Sequence, residues 1–297
     1  MDFNHFPNTG LVLAERRRFL TGASAAAILQ MTGISLSQAA NHTPGPVATV
    51  RTDFVAYSKL DSSKIKALTF DMQGSLLDFY STIAEEGKRF TDSRGIMADW
   101  TTISDQWRSD YRKQLDQVIA GSISWRSTDL IYRNALDNVL AGYDWGRLLS
   151  TNDRDDLSSV WSRLRPWADT RPGLERLRKK YKLSTLSNGS MASVVNIVKR
   201  YDLPFDCVLT AELVKSSKPD PKVYALAQNS LGLRPEEILM VACHKYDLAA
   251  AKKAGFHVAF IPRPLEFGPN GKVDTTEESY FDVMAPDLVQ LAKLLAA

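Results

Sequence analysis

From residue 182 to residue 261 short apolar runs alternate with stretches of helical period, and this alternation narrows the available folds more than any other feature of the chain. Lys182–Leu186, Cys207–Thr210, Ile238–Ala242 and Val258–Ile261 are short and bounded by turn residues, so they read as strands. Met191–Tyr201, Pro221–Leu231 and Leu248–Ala254 read as the helices between them. Such crossovers imply a parallel, doubly wound sheet with right-handed connections. An earlier run, Ile65–Phe70, supplies one more strand, and Pro172-Gly173 opens a further helix through Lys180. Between them, residues 80–165 carry helical periodicity and few strand signals, for example over Trp107–Ile119 and Thr128–Leu140. The expectation is an α/β fold, with a core from residues 64–79 and 166–297 and a helical cap, residues 80–165, inserted after the first strand.

The first 40 residues read differently. Arg16-Arg17-Arg18-Phe19-Leu20 carries a twin arginine, and an uncharged, mildly apolar stretch follows to about Leu36. Ser37-Gln38-Ala39-Ala40 then offers small residues for a signal peptidase, with cleavage at Ala39 or Ala40. That order is the secretory pattern, and the paired arginines with a weak apolar region point to the twin-arginine route to the periplasm. Thr21, Gly22, Ser24 and Thr32 argue against a permanent membrane anchor. Residues 41–63, with Pro44-Gly45-Pro46, read as a flexible lead-in.

The formal net charge of +3 is too small to suggest nucleic acid, and no basic stripe with interleaved aromatics occurs. Cys207 and Cys243 form no CxxC pair, which argues against a zinc ribbon or a thioredoxin-like site. Each belongs to its own apolar run, so two buried free thiols are expected. A homodimer is open to a chain of this kind.

In open α/β sheets the site lies beyond the carboxyl ends of the strands. The first strand ends at Asp71, and the second runs into Ser187-Asn188-Gly189-Ser190. Lys218 precedes the helix that starts near Pro221. A later strand ends in Ala242-Cys243-His244-Lys245-Tyr246-Asp247. A carboxylate, a small polar turn, a lysine and a second carboxylate therefore follow in order. Alone, Asp71 reads as a turn residue, Ser187–Gly189 as a turn, Lys218 as a solvated charge and Asp247 as a helix cap. The tryptophans Trp107, Trp125, Trp161 and Trp167 read as core.

Taken together, these motifs resemble the haloacid dehalogenase superfamily over about residues 64–285. Asp71–Leu76 is similar to its first motif, Leu186–Gly189 to the second, Lys218-Pro219-Asp220 to the third, and Asp247 to the acid of the fourth. Leu186–Ser190, Lys218–Tyr224 and Trp107-Arg108 are similar to the (S)-2-haloacid dehalogenases within it. The resemblance implies a Rossmann-like core. It makes Asp71 the nucleophile and Asp247 the general base, with Lys218 holding the two carboxylates apart electrically. It further implies that Ser187 and Asn188 bind the substrate carboxylate and Arg108 the departing halide, with Ser75, Tyr224 and His244 completing the substrate-binding set. In those enzymes an aromatic residue usually stands at Gln73, a threonine at Ser75, a serine at Ala242 and an amide at His244.

Most of that superfamily moves phosphoryl groups, which requires an acid two residues after the nucleophile to protonate the leaving alkoxide. That position is Gln73. Phosphoryl transfer also needs Mg²⁺, held partly by an acid four residues before Asp247, and that position is Cys243, a poor ligand for a hard cation. A halide leaves without a proton, so displacement by a carboxylate needs neither feature. The sequence therefore predicts hydrolysis of short 2-haloacids to 2-hydroxyacids through an aspartyl ester, with no cofactor, no metal and no nucleic-acid partner. A phosphohydrolase with an atypical site and a non-catalytic ligand-binding homologue are the alternatives.

Overall fold

The computed structural model describes residues 55–297. The signal-peptide reading of residues 1–40, and most of the lead-in, lie outside the described residues. In chain order the strands are β1 (Tyr57–Ser58), β2 (Ala67–Phe70), β3 (Leu77–Asp78), β4 (Arg165–Pro166), β5 (Lys182–Thr185), β6 (Ile238–Ala242), β7 (His257–Phe260) and β8 (Val283–Met284). Six of them form one sheet, ordered β1-β8-β7-β6-β2-β5, parallel except where β1 pairs antiparallel with β8. The last part of the expected lead-in is thus an edge strand. Tyr57 and Ser58 face Met284 and Val283, and the Lys59 N–H donates to the Asp282 carbonyl at 2.8 Å.

The central strands are continuous apolar runs because both faces of the sheet are covered. Along β6, Ile238, Met240 and Ala242 enter one core cluster while Leu239 and Val241 enter the other. One expected strand is incomplete. Cys207–Thr210 forms isolated bridges to β5 and the turn after it, Ser184 to Cys207 and Ser187 to Thr210, rather than a continuous ladder. The Thr185 hydroxyl takes the Leu209 N–H at 2.9 Å, occupying a donor that a regular ladder would use.

The helical insert contains α1 (Phe79–Asp92), α2 (Trp100–Ile119), α3 (Thr128–Leu140), α4 (Asp144–Arg147) and α5 (Thr151–Ser158). Asp78, Asp99, Ser127 and Ser150 cap α1, α2, α3 and α5 by accepting backbone N–H groups, so the sequence encodes where each helix starts. The insert is entered through β3 and left through β4, which pair antiparallel. Its Trp107, Tyr132, Leu136 and Trp161 belong to the same core cluster as Phe70 and Val241 of the sheet. After it come α6 (Thr170–Leu177), α7 (Met191–Arg200), α8 (Pro221–Leu231), α9 (Lys245–Lys253) and α10 (Leu288–Leu294). Among the described residues, no helix is long and apolar enough to cross a membrane.

Candidate active site

Parallel register builds the site. Phe70, at the end of β2, lies level with Thr185 of β5 and Val241 of β6. The residues that follow each strand therefore emerge side by side. The Asp71 N–H still donates to the Val241 carbonyl at 3.0 Å, which fixes the backbone beneath its side chain.

Asp71 is buried, with 5% of its surface exposed. Its Oδ1 accepts from Lys218 Nζ at 2.7 Å, and its Oδ2 accepts from Ser75 Oγ at 2.6 Å. Lys218, only 1% exposed, also donates to Asp247 Oδ2, so one ammonium bridges both carboxylates. Asp247 lies in the first turn of α9, which begins at Lys245; it is therefore not the cap of a helix starting at Leu248. Its Oδ1 accepts from the Tyr224 hydroxyl at 2.7 Å. Burial favours the neutral acid, yet the charges of Lys218 and His244 hold Asp71 well below the usual carboxylate range. For Asp247 burial prevails, aided by the Asp71 charge, and its affinity for a proton is raised despite Lys218. Burial would discharge Lys218, but Asp247 and Asp71 together raise its pKa. Their surroundings thus push the two carboxylates apart, Asp71 toward the ionised form and Asp247 toward the protonated one.

A second network meets Asp71 from the other side. His244 Nδ1 lies 3.0 Å from Asp71 Oδ2, and its Nε2 lies 2.8 Å from Glu266 Oε1. Burial works against a charged imidazole here, but Cys243, Asp71 and Glu266 raise His244 well above the ordinary histidine range. Glu266, 2% exposed, comes from the loop after β7. Nothing in its local sequence, Arg263-Pro264-Leu265-Glu266, marks it, because the loop folds back to the site only in three dimensions. Arg263 anchors that return: its guanidinium donates to the Ser75 carbonyl at 2.8 Å and pairs bidentately with Asp169.

Above Asp71 a cavity of about 100 Å³ lies between sheet and insert. Asp71, Asn188, His244 and Glu266 line it from the core, and Arg108, Tyr111, Tyr132 and Trp161 from the insert. Arg108 rests on Phe267, 3.7 Å from the ring centroid, with a guanidinium nitrogen 3.9 Å from Glu266 Oε1. Gln73 accepts from the Tyr132 hydroxyl at 3.0 Å, and Tyr132 is stacked between Trp161 and Tyr111 at 3.7 and 4.1 Å. Trp107 and Trp161 are core residues as expected from the sequence, but Trp161 also forms part of the cavity wall.

Three of the expected substrate contacts, Ser75, Tyr224 and Ser187, have their hydroxyls engaged by protein groups, and the fourth, Asn188, lines the cavity. Ser75 and Tyr224 are buried, and their hydroxyls serve Asp71 and Asp247 respectively rather than the cavity. Ser187 accepts from the Gly189 N–H at 2.9 Å, holding the turn after β5. Asn188 lines the cavity, and its Oδ1 accepts the Lys218 N–H at 2.7 Å, which ties the lysine's loop to that turn. These roles arise because a buried polar side chain bonds to the buried partner nearest to it.

The donor set does not fit the Mg²⁺ of phosphoryl transfer. Gln73 is a neutral amide engaged by Tyr132, and Cys243 offers a sulfur where a hard cation needs a carboxylate. Cys243, His244 and Glu266 bring sulfur, nitrogen and oxygen within 4.8 Å, but both imidazole nitrogens are committed to carboxylates. Both cysteines are free; Cys243 is buried and Cys207 half-buried.

Residues 149–261 match the family described as haloacid dehalogenase-like hydrolase. An (S)-2-haloacid dehalogenase of Pseudomonas putida is 30% identical over 204 residues, 67% of this chain and 85% of that protein. The crystal structure of an L-2-haloacid dehalogenase covers 78% of this chain and 99% of its own at 37% identity, with a TM-score of 0.75. That of a defluorinating L-2-haloacid dehalogenase covers 78% and 96% at 30% identity, with a TM-score of 0.76. On its fold, its strand-end residues and these likenesses, the chain belongs to the haloacid dehalogenase superfamily, in its (S)-2-haloacid dehalogenase family.

Proposed function

We propose that this chain hydrolyses the carbon–halogen bond of short (S)-2-haloalkanoic acids, giving 2-hydroxyacids of inverted configuration and halide. The observation that carries the reading is the Lys218 ammonium shared by Asp71 and Asp247, in a site whose positions 73 and 243 hold no carboxylate. The lysine keeps Asp71 ionised and so available as a nucleophile. The Asp71 carboxylate attacks C2 from the side opposite the halogen. The halide departs with the bonding pair, and an aspartyl ester remains. Water then attacks the ester carbonyl, surrendering a proton to Asp247, whose raised affinity suits a general base. Arg108, half-exposed at the cavity wall, faces the negative charge of the departing halide.

The direct test is halide release from chloro-, bromo- and fluoroacetate and from both 2-chloropropionate enantiomers, with and without EDTA. Release from the S enantiomer in EDTA is expected. Activity on phosphate esters that needs Mg²⁺, without halide release, would replace this reading by a phosphohydrolase. Binding of haloacids without turnover would make the chain a ligand-binding homologue. We further propose export by the twin-arginine route, supported by Arg16-Arg17 and the weakly apolar stretch to Leu36, with the mature enzyme acting in the periplasm.

A further inference from the structure

We propose that Ser75 and His244 form an oxyanion hole for hydrolysis of the aspartyl ester, and that Glu266 positions His244 for that task. The inference rests on the dehalogenase reading and deepens it.

The two oxygens of Asp71 are not equivalent. Oδ2 meets two groups, Ser75 Oγ at 2.6 Å and His244 Nδ1 at 3.0 Å, which use both of its in-plane lone pairs. Among the described residues Oδ1 meets only Lys218 Nζ, at 2.7 Å, which leaves its other lone pair without a partner there. Oδ1 is therefore the atom that displaces halide. Once it is alkylated, Oδ2 becomes the carbonyl oxygen of the ester, with both neighbours already in place.

Both neighbours are set up as donors. The Cys243 N–H donates to Ser75 Oγ at 2.9 Å, so the hydroxyl's own proton turns toward Asp71. Both ring nitrogens of His244 face carboxylate oxygens, at 3.0 and 2.8 Å. A neutral imidazole has one N–H and would leave a lone pair facing an anion, so these partners assign the doubly protonated ring. Glu266 keeps that proton on Nε2 and fixes the plane of the ring. The turn after Asp71 is shaped for the pair as well. At Gly74, φ is +85°, and a Cβ there would lie 2.5 Å from Glu266 Oε1 and 3.2 Å from His244 Cε1.

Water attacks Cγ of the ester and gives one proton to Asp247. The carbonyl electron pair moves to Oδ2, where the Ser75 O–H and the His244 N–H receive it. Collapse restores the carbonyl and breaks the Cγ–Oδ1 bond, and its electron pair leaves on the product oxygen, which takes the proton from Asp247. The new Asp71 carboxyl loses its proton to solvent, so each turnover yields one hydroxyacid, one halide and one proton. The pair thus acts on the second step, not on the displacement.

Rapid mixing with (S)-2-chloropropionate tests this, with chloride, 2-hydroxypropionate and intact-protein mass followed separately. His244→Phe is expected to release about one chloride per chain at the wild-type rate and then stall as the ester, with hydrolysis slowed roughly 10²-fold or more. His244→Asn, which restores an N–H donor, should recover part of that loss. Glu266→Gln should slow hydrolysis by a smaller factor and move the alkaline limb of its pH profile to lower pH. If a folded His244→Phe or Glu266→Gln variant loses displacement and hydrolysis equally, with no adduct, the pair serves halide departure and the proposal is overturned. Ester hydrolysis at the wild-type rate in both variants overturns it too. If the wild type releases no chloride at all, it is the dehalogenase reading that has failed.

Discussion

At the scale of single residues, this site is organised by a few buried charges that sit too close together to act independently. Asp71→Asn removes the nucleophile and leaves Lys218 one carboxylate instead of two. Halide release is expected to fall to background, checked under conditions where mass measurement excludes deamidation. Tyr224→Phe takes the hydroxyl from Asp247 Oδ1 and leaves a buried anion short of one donor. A stability loss of about 1.5–3 kcal/mol is expected from chemical denaturation, because the lost bond was made to a charged group. His244 also gives stability a pH signature. Its folded pKa is raised, so its contribution is complete below the ordinary value of 6.5 and is lost as pH rises through the folded value. Asp71 behaves oppositely: its pKa is lowered, so its contribution is complete above 3.8 and is lost only as pH falls further. The melting temperature of the wild type should therefore decline as pH rises above 6.5, and His244→Phe should flatten that decline. An unchanged slope in the variant would show that other groups set the pH dependence.

At the scale of elements, the helical insert depends on close approaches that tolerate little change. Gly87 of α1 lies against Trp100 of α2, and a Cβ at Gly87 would sit 2.1 Å from the indole. Gly87→Ala must push the two helices apart, at a cost of about 1–3 kcal/mol. The expected result is a lower melting temperature with kcat little changed well below it, because neither residue lines the cavity above Asp71. Trp161 couples packing to the site more directly. It stacks on Tyr132, whose hydroxyl donates to Gln73 two residues after the nucleophile. Trp161→Ala should cost about 3–5 kcal/mol of stability. It should also raise KM, since it removes one wall of the cavity and loosens the next.

At the scale of the whole molecule, metal dependence and cellular address are the properties to test. Dehalogenation should be unchanged by EDTA and by added Mg²⁺, since a divalent cation beside the Lys218 ammonium would add like-charge repulsion of about 2 kcal/mol at ~4 Å in water and more when desolvated. Gln73→Asp should not create a phosphatase, because Cys243 still leaves the hard-cation site incomplete. Changing Arg16 and Arg17 to Lys should leave precursor in the cytoplasm, read by fractionation; mature protein still in the periplasm would rule out the twin-arginine route. The sequence by itself determined the parallel α/β core, because apolar runs and helical periods are local patterns whose only compact solution is a covered sheet. It also placed Asp71, Lys218 and Asp247 at or near strand ends and helix starts, while their roles came from the resemblance of those motifs to the haloacid dehalogenases. The frayed Cys207–Thr210 segment was not legible, because it turns on one hydroxyl, that of Thr185, competing for a backbone donor. Nor was the edge strand at Tyr57–Ser58, too short to show a period and held by a partner more than 200 residues away. Only the tertiary structure decided that Ser75 and Tyr224 serve the carboxylates and that Glu266 stands behind His244. Such roles depend on which buried polar group finds which partner, and that choice is made when distant loops meet in a dry interior, where a bond left unmade is costly.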